Sequence, residues 1–215
     1  MRGEPIHLIL NHMVHSLKDE HLHIVVGRVI TSIWPYFKQD FVYALEVMGS
    51  AFFKPLDASS SYGIVVKQGC CKVLQNLTRS ALDTFTELSD EQRAGSCGAV
   101  LQQHGILVVS GLKGLSRKFH QHLLTCAGML VLEGGETMAP HVVFLIEHCV
   151  RILNTPSAPP KFMPDDAQHK PLLGDDKMML TKDFALVAAL TLGHIGRCYG
   201  QIAEEYLANF KQCVL

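Results

Sequence analysis

The stretch LILNHMVHSLKDEHLHIVVGRVITSI, residues 8–33, decides how this chain is read. Apolar residues recur at three- and four-residue spacing on both sides of a polar break, Lys18-Asp19-Glu20-His21. Ile6, Leu10, Met13 and Leu17 form one stripe, and Ile24, Ile30 and Ile33 another. That spacing is the helical period, not the alternation of a strand. Residues 5–34 therefore read as two antiparallel helices joined by a charged turn, and so small a pair needs neighbours to bury its apolar faces.

Downstream residues supply such neighbours. The ranges 41–53 and 63–82 read as a second pair, with Pro55 stopping the first helix. Segments 90–103, 106–117 and 119–132 follow, the uncharged run 94–112 being read as buried helix ends and a turn. Gly134-Gly135 ends the third of these, and Pro140 is placed in the first turn of a helix over 141–153. Residues 154–177 hold five of the nine prolines together with Asp165, Asp166, Asp175 and Asp176, the composition of an exposed loop. Helical spacing resumes with 182–197 and 199–213, where Thr181 or Asp183 can cap. The expected organisation is helical repeats over 1–153, a Pro/Asp-rich loop over 154–177 and further helices over 178–215, in one continuous array.

Composition narrows the function classes. Apolar residues make up 48% and charged residues 18% of 215, so most of the chain is expected to be buried against itself or a partner. A formal net charge of −1 with no basic run argues against nucleic-acid binding. The opening apolar run is interrupted by His7, Asn11 and His12, unlike a secretory leader, and no stretch reads as a membrane span. Seven scattered cysteines without a CxxC pair, including the neighbours Cys70 and Cys71, read as reduced core-filling thiols inside a cell.

No GxSxG, GxGxxG, P-loop, HExxH or CxxC is present, and the chain is not read as an enzyme. Cys126 and Cys149 stand near His122 and His148 in sequence, without a base visibly held for either. His12 and His15 (i, i+3) share one helical face, with His21 and His23 across the turn, but no cysteine or acidic set completes a zinc site. These histidines read as turn and surface residues, with metal binding the weaker alternative and no cofactor expected. His120 and His122, two apart on a helix, point opposite ways. Glu133, Glu136, Glu204 and Glu205 read first as solvated helix ends and second as acidic steering for a basic ligand.

Helix pairs at roughly 40-residue spacing are the signature of a HEAT or armadillo array. The expected fold is all-α, an α-solenoid of about five such pairs. Residues 8–33 resemble a HEAT unit, and VVKQGCCKVLQNL (65–77) resembles the second helix of one. DFALVAALTLGHIGR (183–197) does so best, its Ala185, Ala188, Ala189 and Gly193 offering a thin face for close stacking. The blocks EGGETMAPHVVFLIEHCVRILNTP (133–156) and TLGHIGRCYGQIAEEYLANFKQCV (191–214) together resemble a late stretch of transportin-type karyopherin-β proteins, the HEAT-repeat nuclear import receptors. The match lies in Gly135, Met138 and Pro140, the helix end 151–156, the Gly193–Arg197 run, and Ala203, Leu207 and Phe210. It covers about half the chain, from Leu123 onward.

That resemblance implies a protein-binding solenoid that holds a cargo targeting signal, working in cytoplasm and nucleus, with Ran and FG nucleoporins as partners of a longer parent. It points to Thr125, Met129, Thr191 and His194 as inner-face, cargo-contacting residues. The family's signal-binding tryptophan position is occupied here by Thr125, and the only tryptophan, Trp34, ends a different helix beside Pro35. The alternative is a HEAT-type scaffold subunit of a larger complex with no peptide groove.

Overall fold

A computed structural model describes residues 4–16, 19, 22–36, 41–56, 60–115, 117–154 and 182–214. The helices are α1 (Glu4–Ser16), α2 (His23–Ile33), α3 (Phe41–Phe53), α4 (Ile64–Glu87), α5 (Asp90–Ala94), α6 (Ser96–Gly114), α7 (Arg117–Glu133), α8 (Val142–Leu153), α9 (Lys182–Cys198) and α10 (Gly200–Val214). Tighter 3₁₀ segments lie at Trp34–Tyr36, Lys54–Leu56 and Gly135–His141. Among the described residues there is no strand. The Pro/Asp-rich segment expected over 154–177 falls outside them, apart from Asn154 at the end of α8.

Most helix limits follow from local chemistry, and the departures have identifiable causes. α4 runs to Glu87, five residues past its expected end at 82, because Thr84 and Phe85 prolong its buried face. Trp34, 4% exposed, donates its indole N–H to Thr84 Oγ1 at 2.7 Å and holds that extra turn against the end of α2. Ser89 and Gln92 then form a reciprocal capping box that starts α5.

The break expected between 103 and 106 does not occur. α6 is continuous through this stretch, and the chain bends at Gly95 instead. A Cβ at Gly98 would lie 2.0 Å from the Arg93 carbonyl oxygen, so the bend itself demands a glycine there. Gly105 has a packing role: a Cβ there would lie 2.7 Å from Met138 Sδ, so this glycine admits a neighbour instead of turning the chain. Gly135, at φ +58°, adopts the left-handed conformation that closes α7, as the Gly134-Gly135 pair led one to expect. Pro140 belongs to the 3₁₀ segment that follows, with α8 beginning only at Val142.

Packing runs in order along the chain. α2 packs on α4, α4 on α7, and α7 on α9; beside them α1 packs on α3 and α3 on α6. The pairs α1–α2, α3–α4, α6–α7 and α8–α9 each pack together, and α10 lies against α8 and α9. The helices before and after 155–181 therefore touch directly. α4 is flanked by α2, α3 and α7, which explains why the consecutive Cys70 and Cys71 are both fully buried. Its Leu74, Leu77 and Ala81 join Leu45, Met48 and Phe52 of α3 and Leu123, Leu124 and Ala127 of α7 in the hydrophobic core.

The thin face expected on α9 is only partly used. Ala188 is fully buried, but Ala189 and Gly193 face outward, next to exposed Leu186 and Leu190. Close approach of α7 and α9 comes from the other partner, Gly128 of α7, where a Cβ would stand 2.9 Å from Thr191 Oγ1.

Candidate functional site

The four residues singled out from sequence cluster on α7 and α9, and three of them spend their polar atoms inside the protein. Thr125 is half-buried and donates to the Gln121 carbonyl at 2.9 Å. Thr191, 1% exposed, donates to the Val187 carbonyl at 2.8 Å and abuts Gly128. His194 is half-buried, and its Nδ1–H donates to the Gly128 carbonyl at 3.1 Å across the helix crossing. Met129, also half-buried, packs against the core edge. Gly128, Thr191 and His194 thus form the joint between two helices, and Thr191 retains almost no surface to offer a ligand.

The titratable groups divide by burial. Cys126 is fully buried, and desolvation pushes its thiol up to about 12. The same cause raises Cys70 and Cys149 to about 12 and Cys71 further, since a thiolate has no solvation in an apolar interior. These thiols are poor nucleophiles. His104 sits on the same polar thread: its Nε2 lies 2.9 Å from Thr78 Oγ1, which donates to the Leu74 carbonyl at 2.7 Å and also bonds Cys126. Because the threonine proton goes to Leu74, the network assigns the imidazole proton to Nε2 and leaves Nδ1 as an unpaired acceptor facing Gly49. Full burial lowers the His104 pKa to about 4, so the ring is neutral. The thread ties α4, α6 and α7 together and is a core fastening with no route to solvent.

A second imidazole group was not evident from sequence. His120 and His148, each 8% exposed, place ring centroids 5.2 Å apart, and Phe144 stacks on His148 at 5.5 Å. Lys113 Nζ lies 4.8 Å over the Phe144 ring, and His120 Nε2–H donates to the Leu115 carbonyl at 2.8 Å. The i, i+4 spacing of Phe144 and His148 on α8 was the available sign, but their partners come from α6 and α7. His122 faces elsewhere, bonding Gln75 of α4 at 3.2 Å, as two-residue helical spacing requires. Burial, with Lys72 nearby, lowers its pKa.

His12 and His15 are exposed on α1, while His21 and the side chains of His7 and His23 lie outside the described residues. Among the described residues no group of three or more His, Cys, Asp or Glu could hold a metal ion. Glu133, Glu136, Glu204 and Glu205 are all exposed, and Glu205 accepts from Gln201 at 3.4 Å. Among the described residues no helix is long and apolar enough to cross a membrane. No family model, no curated protein and no solved structure matches this chain.

Proposed function

We propose that this chain is an α-solenoid of HEAT-like helix pairs that binds protein, and that it is a segment of a transportin-like nuclear import receptor. The observation that carries the solenoid is the packing order: α2, α4, α7 and α9 stack in sequence, each accompanied by its preceding helix. Repeats that contact their neighbours in chain order are what such arrays are made of. The exposed Val25 and Val29 of α2 and Leu186 and Leu190 of α9 suit the end members of a stacked row. Four helix pairs, the short α5 and α10 are described, against the five or so pairs expected.

The import reading is supported by the sequence blocks 133–156 and 191–214. On that reading the ligand is an extended cargo signal, with Met129 and Thr125 on the receiving face; Ran and FG nucleoporins act through a longer parent, in cytoplasm and nucleus. It needs no cofactor, nucleic acid or membrane. Buried thiols with raised pKa suit a binding module better than a catalyst. Anisotropy titration with a labelled basic Pro-Tyr peptide tests it. Saturable binding that tightens in Thr125→Trp, where the family carries its tryptophan, is expected. No binding by either form would sink the import reading.

The burial of Thr191 and the internal bond of His194 favour a second reading, a scaffold subunit without a peptide groove. Native co-fractionation in one stoichiometric large complex, together with a negative peptide titration, would select it.

A further inference from the structure

A cleft of about 770 Å³ opens at the end of α3 and α6, away from the α7–α9 joint. Leu107, Ser110, Gly111 and Gly114 line it from α6, spaced i, i+3, i+4 and i+7, so one helical face forms a wall. Ser50 and Phe53 of α3 and Lys54 just beyond its end, spaced i, i+3 and i+4, line it as well. Leu56 and Leu115 also line it. The third side, residues 60–62, is pinned by two bonds: Lys67 Nζ donates to the Ser60 carbonyl and the Tyr62 N–H donates to Ser60 Oγ, both at 3.3 Å. Glycine leaves room on this face of α6: a Cβ on Gly114 meets nothing within 4 Å.

We infer that this cleft is a binding site for a small amphipathic monocarboxylate. Its volume is in the range of small-molecule sites, and such sites combine an apolar wall with a few orienting polar groups. Phe53, Leu56, Leu107 and Leu115 supply the apolar wall, and the hydroxyls of Ser50, Ser61 and Ser110 can donate to a head group. Lys54 is the one charged side chain among the described lining residues, which include no carboxylate, so the charge they present selects an anion. α3 and α6 both end here, and the partial negative charge of two helix C-termini opposes any anion, a dianionic phosphate more strongly than a singly charged head held by Lys54. A carboxylate on Lys54 with its hydrocarbon body against Phe53 and Leu107 satisfies each of these constraints.

Calorimetric titration of the whole chain with octanoate, 1-octanol and octylammonium, all below their micellar range, tests the site. Octanoate is expected to bind saturably at one site, ahead of 1-octanol, with octylammonium weakest. Lys54→Gln should weaken octanoate about fivefold, the scale of an exposed ion pair, and bring it level with 1-octanol. Gly114→Leu should abolish binding by filling the cleft, and Ser110→Trp, one turn earlier on the same face, should do the same; thermal melts confirm that each variant is folded. The site is refuted if none of the three probes saturates, or if both filling variants bind like the parent. Octylammonium binding as tightly as octanoate would refute the carboxylate assignment.

Discussion

His194 of α9 donates through Nδ1 to the backbone carbonyl of Gly128 in α7, 66 residues earlier, and Thr191 abuts the same glycine. The bond closes the crossing that joins the C-terminal helices to the rest of the molecule. Gly128→Ala should destabilise the chain by about 1–3 kcal/mol, because a methyl 2.9 Å from Thr191 Oγ1 forces the helices apart. Adding Thr191→Ala should recover part of the loss. A double-mutant cycle by urea denaturation measures the coupling, and strictly additive effects would show that the two side chains do not meet.

Acid should unfold the protein in a window set by His104. Its pKa is about 4 when folded, against 6.5 for an exposed histidine. Above 6.5 both states are neutral at this residue and it contributes nothing to the pH dependence. Between 6.5 and 4 the unfolded chain takes a proton that the native one refuses, so stability falls by roughly 1.4 kcal/mol per pH unit, to a total of about 3 kcal/mol. His122 and His141, whose pKa values burial also lowers, act in the same direction. Urea midpoints from pH 7.5 to 4 should decline steadily in the parent and more gently in His104→Leu. Parallel slopes would exclude His104 as the cause.

Trp34→Phe should cost about 1–2 kcal/mol, through loss of the buried indole bond to Thr84, whose hydroxyl keeps its bond to the Ser80 carbonyl at 3.2 Å. Trp34→Phe with Thr84→Val should be less destabilised than the sum of the single variants. Trp34 is the only tryptophan and is buried, so native emission should be blue-shifted and should move to the red with the cooperative transition. Unchanged emission on unfolding would place the indole in solvent.

Thiol chemistry should follow burial. With Cys97, Cys198 and Cys213 replaced by serine, Cys70, Cys71, Cys126 and Cys149 should all resist a disulfide reagent until denaturant is added. Rapid native labelling of any of the four would contradict their positions in the core.

Leu77, fully buried on α4, gives the reference for core packing. Leu77→Ala should cost about 2–5 kcal/mol by thermal or urea denaturation. A loss below 1 kcal/mol would mean that α4 is not enclosed by its neighbours.

The helical period and the glycine stop at 134–135 are local, and they were sufficient for the all-α reading and for the limits of α3, α8, α9 and α10 to within a residue. Local patterns misjudged α6, because Gly105 looks like a turn residue until Met138, 33 positions later, is seen packed where its side chain would be. Thr191 and His194 were legible as one face of α9, but not as partners of Gly128. The thread from Cys126 through Thr78 to His104 had no signature in the sequence, and the ring contact of His120 with His148 had only the i, i+4 spacing of Phe144 and His148, since each joins different helices.

The sequence by itself determined which segments are helical and which of their faces are apolar, because both depend on residues within a few positions of one another. Tertiary structure alone decided which helix meets which, which glycines are contacts and which are turns, which histidines are neutral, and where the α3–α6 cleft opens. Those outcomes depend on partners 26 to 66 residues away, and no spacing rule within one helix records them.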